Sequence, residues 1–376
     1  MSVLIRDVRL LDARTDEPGW VLFDGAAIAA TGTGAAPDAD DTVDGGGRTL
    51  VPGFIDLHEH GAGGHSFDDG PDAIRAALAV HRAHGTTRSV ISLVTNPVDV
   101  LESSLRGIAE LSATDPLVLG AHLEGPFLAP ERRGAHNVDF LRSPDSDTIE
   151  RLLAAADGSL RQITIAPELP GALDAIERLT AAGVAVAVGH TEADADRTRE
   201  AFDRGARLLT HAFNAMPGIH HRAPGPVATA LADERVVVEL ILDGEHVHPD
   251  VAALTFAAAP GRVALVTDAM AAAGAHDGDY RLGSLNVTVE NGLAVLSGTH
   301  TIAGSTLTQD AALRFARERV GVTDRAAVEA VTLAPARALG LDDRLGLLAP
   351  GYAADAVLLE ADGSVARVWG DGSPIA

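Results

Sequence analysis

The chain has 376 residues, with 29 Lys+Arg against 53 Asp+Glu and a formal net charge of −24; every one of those cations is an arginine. It has neither lysine nor cysteine, which excludes a disulfide framework, a thiolate-held metal, a Schiff-base enzyme, a Walker-type phosphate loop and a carbamylated-lysine metal bridge. The acidity and an aromatic content of 3% argue against a nucleic-acid partner, because such partners are held by clustered cations and stacking platforms.

Residues 1–50 alternate apolar and polar side chains, as in Val3-Leu4-Ile5-Arg6-Asp7-Val8 and Trp20-Val21-Leu22-Phe23, the pattern of half-buried strands. Arg6, Asp7, Arg9, Asp12, Arg14, Asp16 and Glu17 interrupt any signal-peptide core, and no run of about 18 apolar residues follows. The expectation is a cytoplasmic protein with no membrane partner.

From residue 51 one unit recurs: a continuous apolar run, then an amphipathic stretch. The runs are Val51–His60, Arg88–Thr95, Leu117–Gly125, Gln162–Glu168, Val184–Thr191, Leu208–Met216, Val236–Gly244 and Val263–Met270. Runs without alternation read as strands buried on both faces. The stretches between them read as helices over Ala73–His84, Val100–Leu111, Thr148–Ala156, Leu173–Ala182, Asp194–Arg204 and Pro249–Ala258, with Thr306–Val320 and Arg325–Leu339 after the last run. Such a series predicts an α/β fold, a (β/α)8 TIM-type barrel, with an open doubly wound sheet as the alternative. Tyr280–Leu296 reads as an inserted β-hairpin turning at Asn291-Gly292. Ala354–Val368 alternates again, so the two ends are expected to pair into a small β-sandwich. The expected organisation is 1–50 and 344–376 for the sandwich and 51–343 for the barrel.

In a barrel of this kind, function sits at the C-terminal strand ends. Here those ends carry His58-Glu59-His60, His122-Leu123-Glu124, Gly189-His190-Thr191, His211, Asp243-Gly244-Glu245-His246 and Thr267-Asp268. His58 and His60 share a strand face because the side-chain period is two. Each residue alone has an ordinary reading: a satisfied core histidine, a charged strand end, a helix cap at Asp268. Together, imidazoles and carboxylates ending strands one, three, five, six and eight converge on one mouth, which is the donor set of a divalent transition metal. Glu59 points to the opposite face and is expected to balance a nearby arginine.

The order HxH, Glu, His, His, Asp along these strands resembles the amidohydrolase superfamily. More narrowly, Pro52-Gly53-Phe54-Ile55-Asp56, His122-Leu123-Glu124-Gly125-Pro126-Phe127, Gly134-Ala135-His136-Asn137, Gly189-His190-Thr191, His211-Ala212-Phe213-Asn214-Ala215-Met216, Asp243-Gly244-x-His246, Thr267-Asp268-Ala269-Met270 and Ala303-Gly304-Ser305-x-Leu307-Thr308 resemble the N-acetylglucosamine-6-phosphate deacetylases. The resemblance spans about 50 to 310, in order. It implies a hydrolase that releases acetate from a sugar phosphate in amino-sugar catabolism and cell-wall recycling. It further implies one or two divalent metals (Zn, Fe, Mn or Co) on Glu124, His190 and His211, with His58, His60 and Asp268 completing a second position. Asp268 is then the acid–base residue and His136 a second catalytic group. Ala135, His136, Asn214, Ala215, Arg222, His246 and Ile302 then bind substrate, with some phosphate contacts from the partner of a homodimer. His220-His221 reads as a polar loop. The alternatives are a deacetylase for the galactosamine epimer, another amidohydrolase acting on a cyclic amide, and a non-catalytic barrel scaffold.

Overall fold

The computed structural model describes all 376 residues. Eight parallel strands follow one another in chain order: Phe54–Glu59, Thr86–Val94, Val118–Glu124, Leu160–Ile165, Ala185–Val188, Leu208–Leu209, Val237–Leu240 and Val263–Leu265. Each pairs with its sequence neighbour. The last meets the first through a parallel bridge between Glu59 and Ala269, where Asp268 N donates to His58 O at 2.7 Å and His60 N to Ala269 O at 2.7 Å. Valine, isoleucine and leucine on these strands are buried on both faces, which is why the sequence shows runs rather than alternation.

The helices are α1 (Pro71–Ala83), α2 (Val98–Thr114), α3 (Ser146–Ala156), α4 (Ala172–Ala181), α5 (Ala195–Asp203), α6 (Gly225–Ala232), α7 (Pro249–Ala258), α8 (Gln309–Phe315), α9 (Asp324–Val331) and α10 (Leu333–Ala338). Asp145 and Asp194 cap α3 and α5 by accepting backbone N–H bonds at 2.9 and 2.8 Å, satisfying donors a helix start leaves unpaired. The sequence pattern does not reveal α6, because its residues GPVATALA are mostly buried and carry no polar stripe. The stretch expected as one helix over 325–339 is two. Pro335 has no N–H for the carbonyl of Val331 and crowds it, and the chain breaks at Thr332, where φ is −131°.

The apolar run 51–60 also divides. Thr49–Pro52 belongs to a second sheet and Phe54–Glu59 to the barrel. Gly53 lies at the join, where a Cβ would stand 2.2 Å from Thr87 Oγ1, so only glycine fits the approach. The second sheet has eight strands drawn from both chain ends, with Ala356–Leu359 antiparallel to Thr49–Pro52 and Ser2–Leu11 beside it. Ile5, Phe23, Leu50, Ala356 and Trp369 form its own core. The insertion is a three-stranded sheet, Gly278–Leu282, Leu285–Glu290 and Leu293–Leu296. Asn291 and Gly292 turn it at φ 53° and 78°, the positive pair a tight hairpin requires. It packs on Val94, Met270 and Ala303, beside the mouth of the barrel.

Candidate metal centre

The period of two on the first strand turns His58 and His60 into the barrel and Glu59 outward against α1. Glu59 meets no arginine there: its Oε2 lies 3.1 Å from His81 Nδ1, both side chains being buried. The direct contact is thus a histidine of α1, with the nearby Arg82 acting on Glu59 only at longer range. Burial pushes the Glu59 carboxyl up to about 8 and holds His81 below its usual value, so this pair carries little charge into the helix–strand layer.

Glu124 ends the third strand at the centre of the site. Its Oε1 lies 3.0 Å from His190 Nε2 and 3.1 Å from His211 Nε2. Its Oε2 lies 3.2 Å from His60 Nε2 and 3.3 Å from His136 Nε2. Asp268 Oδ1 is 3.3 Å from His60 Nε2 and 3.6 Å from His58 Nε2. Two groups result, His58–His60–Asp268 and Glu124–His190–His211, each with ligand atoms within 4.8 Å of one another and all buried. One carboxylate thus faces both groups: Oε1 toward His190, His211 and, at 3.4 Å, His58 Nε2, and Oε2 toward His60.

The hydrogen bonds fix which ring nitrogens carry protons. His190 Nδ1 is 2.8 Å from the Arg132 carbonyl, which only accepts, so Nδ1 carries a proton and Nε2, 3.0 Å from both Glu124 Oε1 and His211 Nε2, is the nitrogen that would face a cation. His136 is the reverse. Its Nδ1 accepts from Thr95 N at 3.2 Å, so Nε2–H points into the site. Nitrogen Nε2 of His58 lies 3.1 Å from that of His60, and His190 Nε2 lies 3.0 Å from His211 Nε2. Buried imidazoles and carboxylates converging this closely fit a divalent cation, which they would hold in their deprotonated forms.

Burial opposes ionisation of Glu124, yet His58, His136 and His190 outweigh it and hold the carboxyl well below its usual range. Burial lowers His60, but Asp268 and Glu124 outweigh that and push it up to about 9. Burial keeps His136 below its ordinary value, hence neutral, in spite of Glu124. His190, His211 and Asp268 hold positive φ of 46°, 21° and 49°. Non-glycine residues rarely adopt that region, and when they do it is commonly at functional sites.

A cavity of about 490 Å³ opens over this cluster, lined among others by His60, His136, His246, Asp268 and Ile302. Ala135, Asn214 and Ala215 line it too. His246 Nδ1 lies 2.6 Å from Asp243 Oδ2. Burial works against its protonation, but Asp243 and then Asp268 outweigh it and raise its pKa. Arg222 is exposed on the loop before α6 and does not line the cavity of its own chain. The structure brings in Arg132 and Arg133 instead, which the sequence pattern does not single out. Their one signal is position: they immediately precede Gly134-Ala135-His136 on the loop after the third strand. Arg132 is ion-paired to Glu192. A larger cavity, about 620 Å³, lies between the terminal sheet and α8–α9. Its arginines Arg9, Arg48 and Arg317 are paired with Asp16, Asp324 and Glu360, and it holds no metal-type cluster.

The chain belongs to the amidohydrolase family, which matches residues 49–375. Among relatives, it is 39% identical to an N-acetylgalactosamine-6-phosphate deacetylase of Escherichia coli O157:H7, with 98% of each chain covered. It is 38% identical to an N-acetylglucosamine-6-phosphate deacetylase of Bos taurus, over 86% of this chain and 82% of that one. Among solved structures, a variant of N-acetyl-D-glucosamine-6-phosphate deacetylase from Mycobacterium smegmatis, in complex with N-acetyl-D-glucosamine-6-phosphate, is 43% identical. It superposes with a TM-score of 0.95, covering 100% of this chain and 99% of that one.

Proposed function

We propose that the protein is a metal-dependent deacetylase that hydrolyses N-acetylglucosamine 6-phosphate to glucosamine 6-phosphate and acetate, in amino-sugar catabolism and cell-wall recycling. The observation that carries this is Glu124 facing two buried ligand groups beneath a cavity that His136 and His246 also line. The Mycobacterium smegmatis and Bos taurus relatives support the substrate class. The Escherichia coli relative supports a second reading, the galactosamine epimer.

In this reading Glu124, His190 and His211 would hold one divalent cation, and His58, His60 and Asp268, with Glu124 facing both groups, would hold a second. Such a cation supplies Lewis acidity, lowering the pKa of water from near 16 to about 7. The residues do the rest. Asp268 accepts the proton of the attacking water. His136 donates from Nε2–H to the acetyl carbonyl oxygen as negative charge develops there. Asp268 then returns its proton to the amine nitrogen as the C–N bond breaks. Charge on the phosphate is met by His246, by Asn214 and the Ala215 backbone, and by Arg222 of the partner subunit in a cytoplasmic homodimer. Arg133 and Arg132, the latter ion-paired to Glu192, line the mouth beside Glu131 and place guanidinium groups within reach of an anionic substrate.

The test is acetate release from the 6-phosphates of both acetylated hexosamines, with Zn, Fe, Mn or Co added to chelator-treated protein. Metal-dependent release from the glucosamine form at the higher kcat/KM is the expected result. A higher kcat/KM on the galactosamine form selects the second reading, and no release from either overturns both.

A further inference from the structure

Glu239 sits on the seventh strand, wholly buried inside the barrel beneath the ligands. A buried carboxylate is costly unless it is paired and hydrogen-bonded. No arginine lies within ion-pairing distance of it. Its one ion-pair contact is His58 Nδ1, 3.6 Å from Oε2. Gln162 Nε2 donates to Oε1 at 2.8 Å. Thr210 Oγ1 donates to Oε2 at 2.8 Å, and the same Thr210 Oγ1 lies 3.2 Å from His58 Nδ1.

The direction of these bonds is forced. A carboxylate only accepts, so the Thr210 hydroxyl proton points to Glu239. The Thr210 oxygen is left with lone pairs, and the proton between it and His58 therefore belongs to Nδ1. That leaves His58 Nε2, turned toward Asp268 and Glu124, as the nitrogen available to a cation. Metal-ligating histidines are ordinarily oriented in this way by a carboxylate behind them. The ligand set itself holds two carboxylates, Glu124 and Asp268, against two dications, and Glu239 adds a third negative charge on the buried side.

We propose that Glu239, acting through Thr210, is the positioning residue that makes His58 a ligand and so sets occupancy of the second metal position. This rests on the two-ion reading of the site. No comparable contact reaches the other position: His190 is oriented by the Arg132 carbonyl. Loss of Glu239 should therefore weaken one ion and spare the other.

The experiment titrates Mn2+ into chelator-stripped full-length protein by calorimetry and counts bound metal by elemental analysis. Wild type should take two ions per chain. Glu239→Gln, which keeps the shape but not the charge, should take the first ion with unchanged affinity and the second about 10- to 100-fold more weakly. Thr210→Val should reproduce that loss and Thr210→Ser, which keeps the hydroxyl, should restore binding; this pair carries the test if Glu239→Gln does not fold. Second-ion affinity within threefold of wild type in Glu239→Gln, or in Thr210→Val where Glu239→Gln does not fold, overturns the proposal and leaves the two-ion reading standing. A wild type that never exceeds one ion per chain removes that reading and the proposal together.

Discussion

Replacing Arg88 tests how the barrel is fastened to the sheet built from the chain ends. Arg88 lies on the second barrel strand and is almost wholly buried. Its Nε and Nη2 donate to the two Asp355 oxygens at 2.6 and 3.1 Å, and Nη2 also reaches Asp371 Oδ1 at 2.5 Å. Asp355 is buried, and burial already raises its carboxyl above the ordinary value against the pull of Arg88. Arg88→Met removes the partner and leaves Asp355 stranded, a loss of about 3–5 kcal/mol for a buried pair broken on one side. At about 2.1 cal/mol/K per residue, the unfolding entropy of this chain is on the order of 0.8 kcal/mol/K, so Tm should fall by roughly 4–6 °C. Arg88→Met combined with Asp355→Leu removes the stranded charge and should recover more than half of the loss. The sign with pH is fixed: a carboxyl whose folded pKa is raised favours the folded state at low pH and loses that contribution as pH rises through the folded value. The deficit of the single variant should thus shrink from pH 8 toward pH 5. Urea unfolding of both variants across that range measures the loss, its recovery and its pH trend, and thermal unfolding measures the Tm shift. A single variant within about 1 kcal/mol of wild type, or a double variant no better than the single, refutes the reasoning.

Further outcomes follow from the site. Asp268→Asn keeps the shape but cannot shuttle a proton, so kcat should fall by about 10²–10⁴ with metal loaded; a wild-type rate in folded, metal-loaded variant excludes the acid–base role. Arg222→Ala should raise KM for the 6-phosphate substrate at least tenfold, in line with about 1.5–3 kcal/mol for a charge-assisted hydrogen bond, and leave kcat nearly unchanged. An unchanged KM removes Arg222 from phosphate recognition. Gly189→Ala would set a Cβ 2.0 Å from Thr210 Cγ2, inside the barrel and next to His190. It should cost about 1–3 kcal/mol of stability by overpacking and displace His190; denaturation and metal titration together check it.

The barrel is legible because burial of parallel strands on both faces writes continuous apolar runs into the chain, and the strand period by itself sets His58 and His60 on one face. Asn291-Gly292 is legible for a similar reason, since few other pairs accept two positive φ values. What escapes the sequence depends on neighbours far along the chain. Helix α6 has no polar stripe because both its surroundings are buried, and the division at Gly53 is dictated by Thr87 and Asp355. Glu59 finds His81 rather than an arginine because α1 happens to present a histidine there. Arg132 and Arg133 reach the cavity only because their loop folds over His190. Residue types, their order and their strand positions are thus determined by local periodicity alone. That Nδ1 of His58 and of His190 carries a proton, and that Glu239 stands behind His58, is decided by tertiary structure, because those choices are made by hydrogen-bond partners far along the chain.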